Sequence, residues 1–172
     1  MKQIYIVLTS TGAIPSKIIK TFTHDEYSHS SLAFDKQLNQ MYGFGRLNPY
    51  FIFPGGFVNE HIDKGTFKRF KDTKARIIEF NINDDQYDNL KNNVIKMEEE
   101  RGKYKYSILG VIACYFNKKY KREYYYYCSE FIYDMFLKAG IDFNLPEILK
   151  PEHFKENVNG KTIYEGLLRE YR

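Results

Sequence analysis

The most constraining feature of the sequence is an amphipathic helix that begins with a cysteine. In the segment YYYYCSEFIYDMFLKAG, apolar residues recur at helical spacing along one face: Phe131, Ile132, Met135, Phe136 and Ala139. Gly140 predicts the end of the helix, and Cys128 lies at its N-terminus on the same face. A core must cover that face. The thiol stands where free N–H groups and the positive end of the helix dipole lower a thiol pKa.

The length and composition indicate one globular domain. A chain of 172 residues is of single-domain size and can bury about 70% of its extended surface. Aromatic residues make up 17% of the chain, although it has no Trp, so we expect an aromatic-rich core. The net charge of +4 is mildly basic, and much of the excess lies between Lys103 and Arg122. That distribution is compatible with an anionic partner.

The two cysteines and the N-terminal segment set the expected compartment. Cys114 and Cys128 are too few for a disulfide framework or a four-ligand zinc site, so we expect free thiols, no metal and no cofactor. The first apolar run covers only residues 4–8, which is too short for a signal sequence or a membrane span. A cytoplasmic protein without a transmembrane segment is therefore expected, and the oligomeric state stays open.

Hydrophobic patterns predict several strands and helices. Strands are expected at Gln3–Thr9, Ser28–Phe34, Met41–Arg46 and Lys74–Ile82, and a last extended stretch near Thr162–Arg169. Helices are expected at Pro15–Lys20, from an Asn83 or Asp84 cap to about Gly102, and at Ser107–Phe116, which is apolar all round and predicted to be buried. The Pro- and Gly-containing stretch Asn48–Phe57 is predicted to be a loop.

His29 is the best candidate for a base that activates Cys128. In the second predicted strand Leu32 and Phe34 point one way, while His29, Ser31 and Ala33 point the other, so another element can approach the imidazole. A buried structural cysteine and a hydrogen-bonded structural histidine are the alternative interpretations. The remaining histidines, His24, His61 and His153, are expected to be solvated surface residues.

Two short motifs resemble a known family. Tyr27-Ser28-His29-Ser30-Ser31-Leu32-Ala33 is similar to its "SHvgi" strand, and Tyr127-Cys128-Ser129-Glu130-Phe131 to its "yCSEl" helix start. The family is the circularly permuted, YiiX-like branch of the NlpC-type papain-like cysteine hydrolases, a distant relative of lecithin retinol acyltransferase. In that branch the His strand precedes the Cys helix by about a hundred residues, as it does here.

The resemblance covers the chain from the first strand through the Cys helix, and it implies an α+β fold with an antiparallel sheet or half-barrel packed against helices. Residues 1–172 are expected to form a single papain-like domain. The resemblance also implies that Cys128 and His29 hydrolyse an amide or ester through an acyl-enzyme, with a third polar residue on the next strand. The segment after the His strand, Met41–Arg46, offers no match for that residue. If Gln37 pairs with Gln40, His29 falls opposite Asn48, which is then the candidate orienting residue. A register shift of two residues would place Arg46 there instead.

Three functional hypotheses follow. The first is a cysteine hydrolase of amidase or peptidase type that acts on a small peptide, a cell-wall fragment or an acyl substrate. The second is a non-catalytic binding module on the same fold, which would use the aromatic and basic segment from Tyr104 onward against an anionic polymer or lipid. The third is a lipid-type acyltransferase. Nucleic acid is not the expected partner, and the sequence does not identify the substrate.

Overall fold

The computed structural model describes residues 1–12, 25–51 and 53–171. The strands within these ranges are β1 (Lys2–Ser10), β2 (His29–Ala33), β3 (Met41–Arg46), β4 (Gly55–Glu60), β5 (Lys74–Ile82), β6 (Lys105–Tyr106), β7 (Tyr125–Tyr126) and β8 (Gly160–Leu167). The α-helices are α1 (Gly65–Arg69), α2 (Asp84–Glu99), α3 (Ile108–Tyr115), α4 (Cys128–Lys138) and α5 (Pro151–Lys155), with 3₁₀ turns at Arg101–Lys103 and Leu168–Glu170.

The strands form one sheet of mixed α+β architecture. Its order is β7-β6-β4-β3-β2-β1-β5-β8, and all the ladders are antiparallel except that between β6 and β7. β1 is central and pairs with both β2 and β5. Its continuous apolar run fits a strand that is covered on both faces. The α+β class expected from the resemblance agrees with this architecture.

Most of the expected elements are confirmed. β1, β2, β3 and β5 occupy the predicted segments, and β8 covers most of the last extended stretch. Asn83 caps α2, because its side chain accepts a hydrogen bond from the backbone N–H of Gln86. α4 begins at Cys128 and is followed by Gly140 at φ +68, a conformation that glycine adopts without strain.

The prediction of a loop over Asn48–Phe57 is wrong at its C-terminal end. Gly55–Phe57 belong to β4, which pairs with β3. Pro54 and two adjacent glycines conceal this strand in the sequence, because both residue types are depleted in strands. The glycines are needed for close packing: a Cβ on Gly55 would lie 2.8 Å from Tyr106 Cβ, and one on Gly56 would lie 2.8 Å from the Tyr104 carbonyl oxygen.

The hairpin register is also different from the expected one. Leu32 pairs with Tyr42 and Ala33 with Met41, so the predicted pairing of Gln37 with Gln40 is wrong. The carboxylate of Asp35 accepts the backbone N–H groups of Asn39 and Gln40 at 3.0 and 2.7 Å, which stabilises a longer loop. In this register His29 of β2 lies near Gly45 of β3, and Asn48 does not lie opposite the imidazole.

The helix expected at Ser107–Phe116 forms, but its predicted burial is wrong. Of the residues in α3, only Gly110 and Cys114 are buried, whereas Ile108, Leu109 and Ile112 are 44%, 56% and 48% exposed. A helix that is apolar all round gives no periodic signal to show which face is covered. Exposed apolar side chains in such a cluster indicate an interaction surface.

Two expectations concern parts of the chain that the structure does not describe, and one concerns the membrane. The helix expected at Pro15–Lys20 and the histidine His24 both lie outside the described residues. Among the helices of the described ranges, none combines the length and the apolar character that a membrane crossing requires.

The larger of two apolar clusters lies between the sheet and helices α2 and α4, and it is rich in aromatic residues. Phe131 of α4 is fully buried there. Its ring centroid lies 5.3 Å from that of Phe44 and 5.7 Å from that of Phe57, on β3 and β4. These contacts fix α4, and with it the position of Cys128, against the sheet.

Replacing Phe131 by Ala should therefore lower the free energy of unfolding by about 3–5 kcal/mol, the usual cost of a phenylalanine cavity. Urea unfolding followed by circular dichroism would measure it. Leu137→Ala is the matched control, because Leu137 lies on the same helix but is 58% exposed. A loss below about 1 kcal/mol for Phe131→Ala would contradict the packing described above.

Candidate active site

Cys128 stands at the first position of α4, as the sequence predicts. Tyr127 is the N-cap residue, with an extended backbone, and Cys128 is 4% exposed. Backbone N–H groups in the first turn of a helix have no intrahelical acceptor, and the helix dipole places partial positive charge there. Glu130 supports this turn, because its carboxylate accepts the backbone N–H of Tyr127 at 3.4 Å.

The two sequence motifs come together at this helix start. Ser30, from the His strand, and Ser129, from the Cys helix, are both fully buried, and their hydroxyl oxygens lie 3.1 Å apart. Cys128 Sγ lies 3.9 Å from Ser129 Oγ. The structure therefore brings Cys128 and His29 into one site, even though about a hundred residues separate them in the chain.

The imidazole of His29 is held by a carboxylate that sequence reasoning missed. Nε2 of His29 lies 3.0 Å from Oε1 and 3.3 Å from Oε2 of Glu60. Their side chains are 19% and 11% exposed. Ser31 completes the cluster: its hydroxyl lies 3.2 Å from the same nitrogen and donates a short hydrogen bond to Glu60 Oε2. Since Nε2 is occupied, Nδ1 is the ring nitrogen left for the thiol.

Glu60 reaches His29 by crossing an intervening strand. It lies on β4, and β3 stands between β4 and β2. The positions of β3 that face the carboxylate are Gly43 and Gly45. A Cβ on Gly43 would lie 2.8 Å from Glu60 Oε2, and one on Gly45 would lie 3.6 Å from Glu60 Oε1 and 3.8 Å from His29 Cε1. Because Gly43 and Gly45 have no side chains, a gap is left over β3, which we call the glycine passage. The carboxylate of Glu60 contacts the imidazole of His29 through this gap.

The two central groups shift each other's pKa in opposite directions. Burial lowers the pKa of His29, but the charge of Glu60 and hydrogen bonds with Cys128 and Glu60 outweigh it, so this pKa lies well above its usual 6.5. Burial raises the pKa of the Cys128 thiol, but a hydrogen bond with His29 and the charge of His29 outweigh it, so this pKa is lowered. The two shifts have one physical origin: the thiolate form of Cys128 and the imidazolium form of His29 stabilise each other.

Cys114 has a different environment. It is buried, and its thiol contacts the carbonyl oxygen of Leu149 at 3.7 Å. Burial raises its pKa, which is the expected behaviour of a structural thiol. Within one chain, Cys114 is therefore an internal control for the reactivity of Cys128.

The structure places the other candidate residues away from the imidazole contacts. Asn48 is exposed, and its side-chain oxygen accepts the backbone N–H of Tyr50 at 2.8 Å, whereas the described hydrogen bonds of the imidazole go to Glu60 and Ser31. His61 directly follows β4 and is half-buried. His153 is also half-buried, and its Nδ1 accepts the backbone N–H of Lys150 at 3.1 Å. Both histidines are therefore partly exposed.

A cavity of about 250 Å³ opens beside His29 and Glu60. Its walls are mainly apolar and come from the ends of β2 and β3, from α1 and from α3; they include Phe44, Phe53, Phe67, Ile108, Val111 and Ile112. Cys128 lines a smaller neighbouring cavity of about 20 Å³. Ser28, Tyr106 and Val111 line both cavities and form the partition between them. Burial, followed by the charge of Cys128, raises the pKa of Tyr106.

The site has the composition of an acid–base and nucleophile centre. Across the described parts of the chain, no three His, Cys, Asp or Glu side chains converge in a manner suited to a metal ion. When an imidazole lies between a thiol and a carboxylate, it can accept the proton of the thiol, and the carboxylate stabilises the resulting imidazolium.

No protein-family model matches the chain, and no curated protein does. The interpretation of the site therefore depends on its own geometry and on the two sequence motifs.

Glu60 left only a weak signal in the sequence. It ends the run GGFVNE, in which Phe57 and Val58 are the only strand-forming residues, so β4 is not recognisable. The glycines at 43 and 45 are the better signal. Two glycines at alternate positions of a strand open one face, and a group from the next strand can enter the gap.

A side chain in the glycine passage should separate the carboxylate of Glu60 from the imidazole of His29. We expect Gly43→Ala to displace Glu60 and to move the midpoint of the pH dependence of Cys128 alkylation by iodoacetamide upward by about one pH unit, as Glu60→Gln should do. Gly102→Ala is the matched control, since a Cβ there meets nothing within 4 Å. A Gly43→Ala profile identical to that of the starting protein would contradict the assigned role of Glu60.

Proposed function

We propose that the protein is a cysteine hydrolase that cleaves an amide, or an ester, through an acyl-enzyme on Cys128. The observation that carries the proposal is the hydrogen bond between Glu60 and His29 in the site that also holds Cys128, together with a lowered thiol pKa and a raised imidazole pKa. A structural cysteine gains nothing from such a partner, whereas a nucleophile requires one. Perturbed pKa values of this kind cluster at functional sites.

In the first half of the reaction, His29 accepts the proton of the Cys128 thiol, and the thiolate attacks the substrate carbonyl carbon. A C–S bond forms, and the carbonyl electron pair moves to oxygen. Backbone N–H groups of the first turn of α4 are the available donors for that oxyanion. The imidazolium then gives its proton to the leaving amine or alcohol, the C–N or C–O bond breaks, and a thioester remains.

In the second half, His29 accepts a proton from water, and the resulting hydroxide attacks the thioester. The C–S bond breaks, the carboxylic product leaves, and the thiolate returns. Glu60 holds the ring through Nε2 and stabilises the imidazolium in both halves, which is the role of the acidic member of a catalytic triad. Glu60 thus takes the role that the sequence analysis gave to Asn48.

We also propose that the chain is a permuted papain-like hydrolase of the YiiX-like branch. Support comes from the chain order of the site, with the His strand first and the Cys helix about a hundred residues later. The packing of that helix against an antiparallel sheet supports it as well. The free thiols of Cys114 and Cys128 suit a reducing compartment, which is consistent with the cytoplasm.

The proposal predicts a burst of nitrophenol when the protein meets p-nitrophenyl acetate, a general acyl donor. The burst should equal one acetyl group per chain, and intact-mass analysis followed by peptide mapping should place the group on Cys128. His29→Ala should slow acylation by about 10²–10⁴-fold, the usual contribution of a general base.

Cys114→Ala is the matched control and should acylate at the rate of the starting protein. Acetylation of Cys114 in place of Cys128, or a burst that survives Cys128→Ala, would contradict the proposed nucleophile. An acylation rate that His29→Ala leaves unchanged would contradict the proposed base.

A further inference from the structure

A group of large apolar side chains is exposed at the mouth of the cavity beside His29. We call Phe53, Ile108, Leu109, Ile112 and Phe116 the apolar rim. Their exposed fractions are 54%, 44%, 56%, 48% and 72%. A single exposed apolar residue needs no explanation, but a contiguous group marks a surface that contacts something.

The members of the apolar rim are neighbours in space. Phe53, Ile108 and Ile112 line the same cavity, so the loop before β4 meets α3 there. Ile108, Ile112 and Phe116 follow one another at intervals of four, which places them along one side of the helix. The segments 47–53 and 107–116 contain no charged residue, and the loop also exposes Leu47, Tyr50 and Phe51.

A run of cations directly follows the apolar rim. Lys118, Lys119, Lys121 and Arg122 are all exposed. Lys119 pairs with Glu147, whereas among the described residues Lys118 and Lys121 have no ion pair, and Arg122 stacks on the ring of Tyr125 at 4.0 Å. Lys118, Lys119 and Lys121 line one cavity with Glu130, Asp134 and Glu147, so part of their charge is compensated. Exposed positive charge nevertheless follows the C-terminal end of α3.

We propose that the apolar rim and this basic run dock the protein on the surface of an anionic lipid bilayer. Aromatic and aliphatic side chains on one face of a helix, with Lys and Arg beside them, are the pattern of interfacial membrane binding. The apolar side chains enter the boundary between headgroups and acyl chains, and the cations bind the lipid phosphates.

The composition distinguishes this partner from two others. Protein interfaces are depleted of Lys at their centre, but here three lysines closely follow the most exposed residue of the rim, Phe116, in the chain. A nucleic acid would use the cations but would leave five large apolar side chains in water. A lipid surface binds both parts of the patch, because its acyl chains contact the apolar rim and its phosphates bind the basic run.

The docking has a consequence for the substrate, and this part rests on the proposed function. Because Phe53, Ile108 and Ile112 belong both to the rim and to the cavity wall, the docked orientation turns the mouth of the cavity toward the lipid. The cavity walls are mainly apolar as far as Phe44 and Phe67. The substrate class is then an amide or ester with an acyl chain, taken from the lipid phase.

The test is co-sedimentation of the Cys128→Ser protein with vesicles, which needs no activity. Vesicles of phosphatidylcholine with about 30% phosphatidylglycerol should bind it at least about tenfold more tightly than phosphatidylcholine alone at about 0.1 M salt. The preference should fall at about 0.5 M salt. The double variant Ile112→Asp/Phe116→Asp should lose about tenfold or more in affinity for the anionic vesicles.

Matched controls separate this surface from general effects. Leu137→Asp adds a charge at a residue that is 58% exposed on α4, and it should bind like the starting protein. Lys118→Gln/Lys121→Gln should lose several-fold in affinity, while Lys36→Gln/Lys71→Gln, at exposed positions elsewhere, should not. Circular dichroism would verify that each variant is folded.

Three results would overturn the docking proposal: equal binding to neutral and anionic vesicles, binding that is indifferent to the rim variant, or a dimer in sedimentation analysis that Ile112→Asp/Phe116→Asp abolishes. If vesicles bind but Cys128 does not accept acetyl groups from p-nitrophenyl acetate, the docking stands and the hydrolase fails. If Cys128 accepts acetyl groups but the protein does not bind vesicles, the hydrolase proposal stands and the docking proposal is wrong.

Discussion

The contact between Glu60 and His29 is the interaction on which the site depends, and it exists only because the strand between them carries glycines. A side chain at position 43 would occupy the place of the carboxylate. Without Glu60, burial of His29 would favour the neutral imidazole and remove the charge that lowers the pKa of Cys128. The pKa of the Cys128 thiol on α4 thus depends on Gly43 and Gly45 of a separate element, strand β3.

Burial acts on this site in two ways. It opposes each ionised group separately, since it raises the thiol pKa and lowers the imidazole pKa. It also strengthens the attraction between the groups, because a low local dielectric weakens the screening of charges. With a carboxylate as a third member, attraction prevails. The Ser30–Ser129 contact and the packing of Phe131 keep the helix start close enough to the strand for this coupling.

The sequence was informative where periodicity and chemistry coincide. The apolar face of α4, the alternation in β2 and the Asn83 cap were predictable because each has a regular local signal. Cys128 and His29 could be paired from motif order. Glu60 could not be predicted, because its role depends on a strand hidden by Pro54 and two glycines and on a crossing over β3.

The predictions of the hairpin register and of the burial of α3 were wrong for similar reasons. The loop length depends on hydrogen bonds to one carboxylate, Asp35, and a uniformly apolar helix has no polar face to reveal its orientation. Both are tertiary properties with no local period. The exposed face of α3 and the hidden strand β4 border the same cavity, so both errors concerned the surroundings of the cavity beside His29.

The most direct test of the central claim is the protonation of His29, measured by ¹⁵N NMR of the imidazole ring over a pH titration of the intact protein. We predict that His29 stays protonated well above pH 6.5, and that Glu60→Gln lowers its pKa. We also predict that the ring and the Cys128 thiol titrate as a coupled pair. A His29 that loses its proton at or below pH 6.5 and is indifferent to Glu60→Gln would contradict the account.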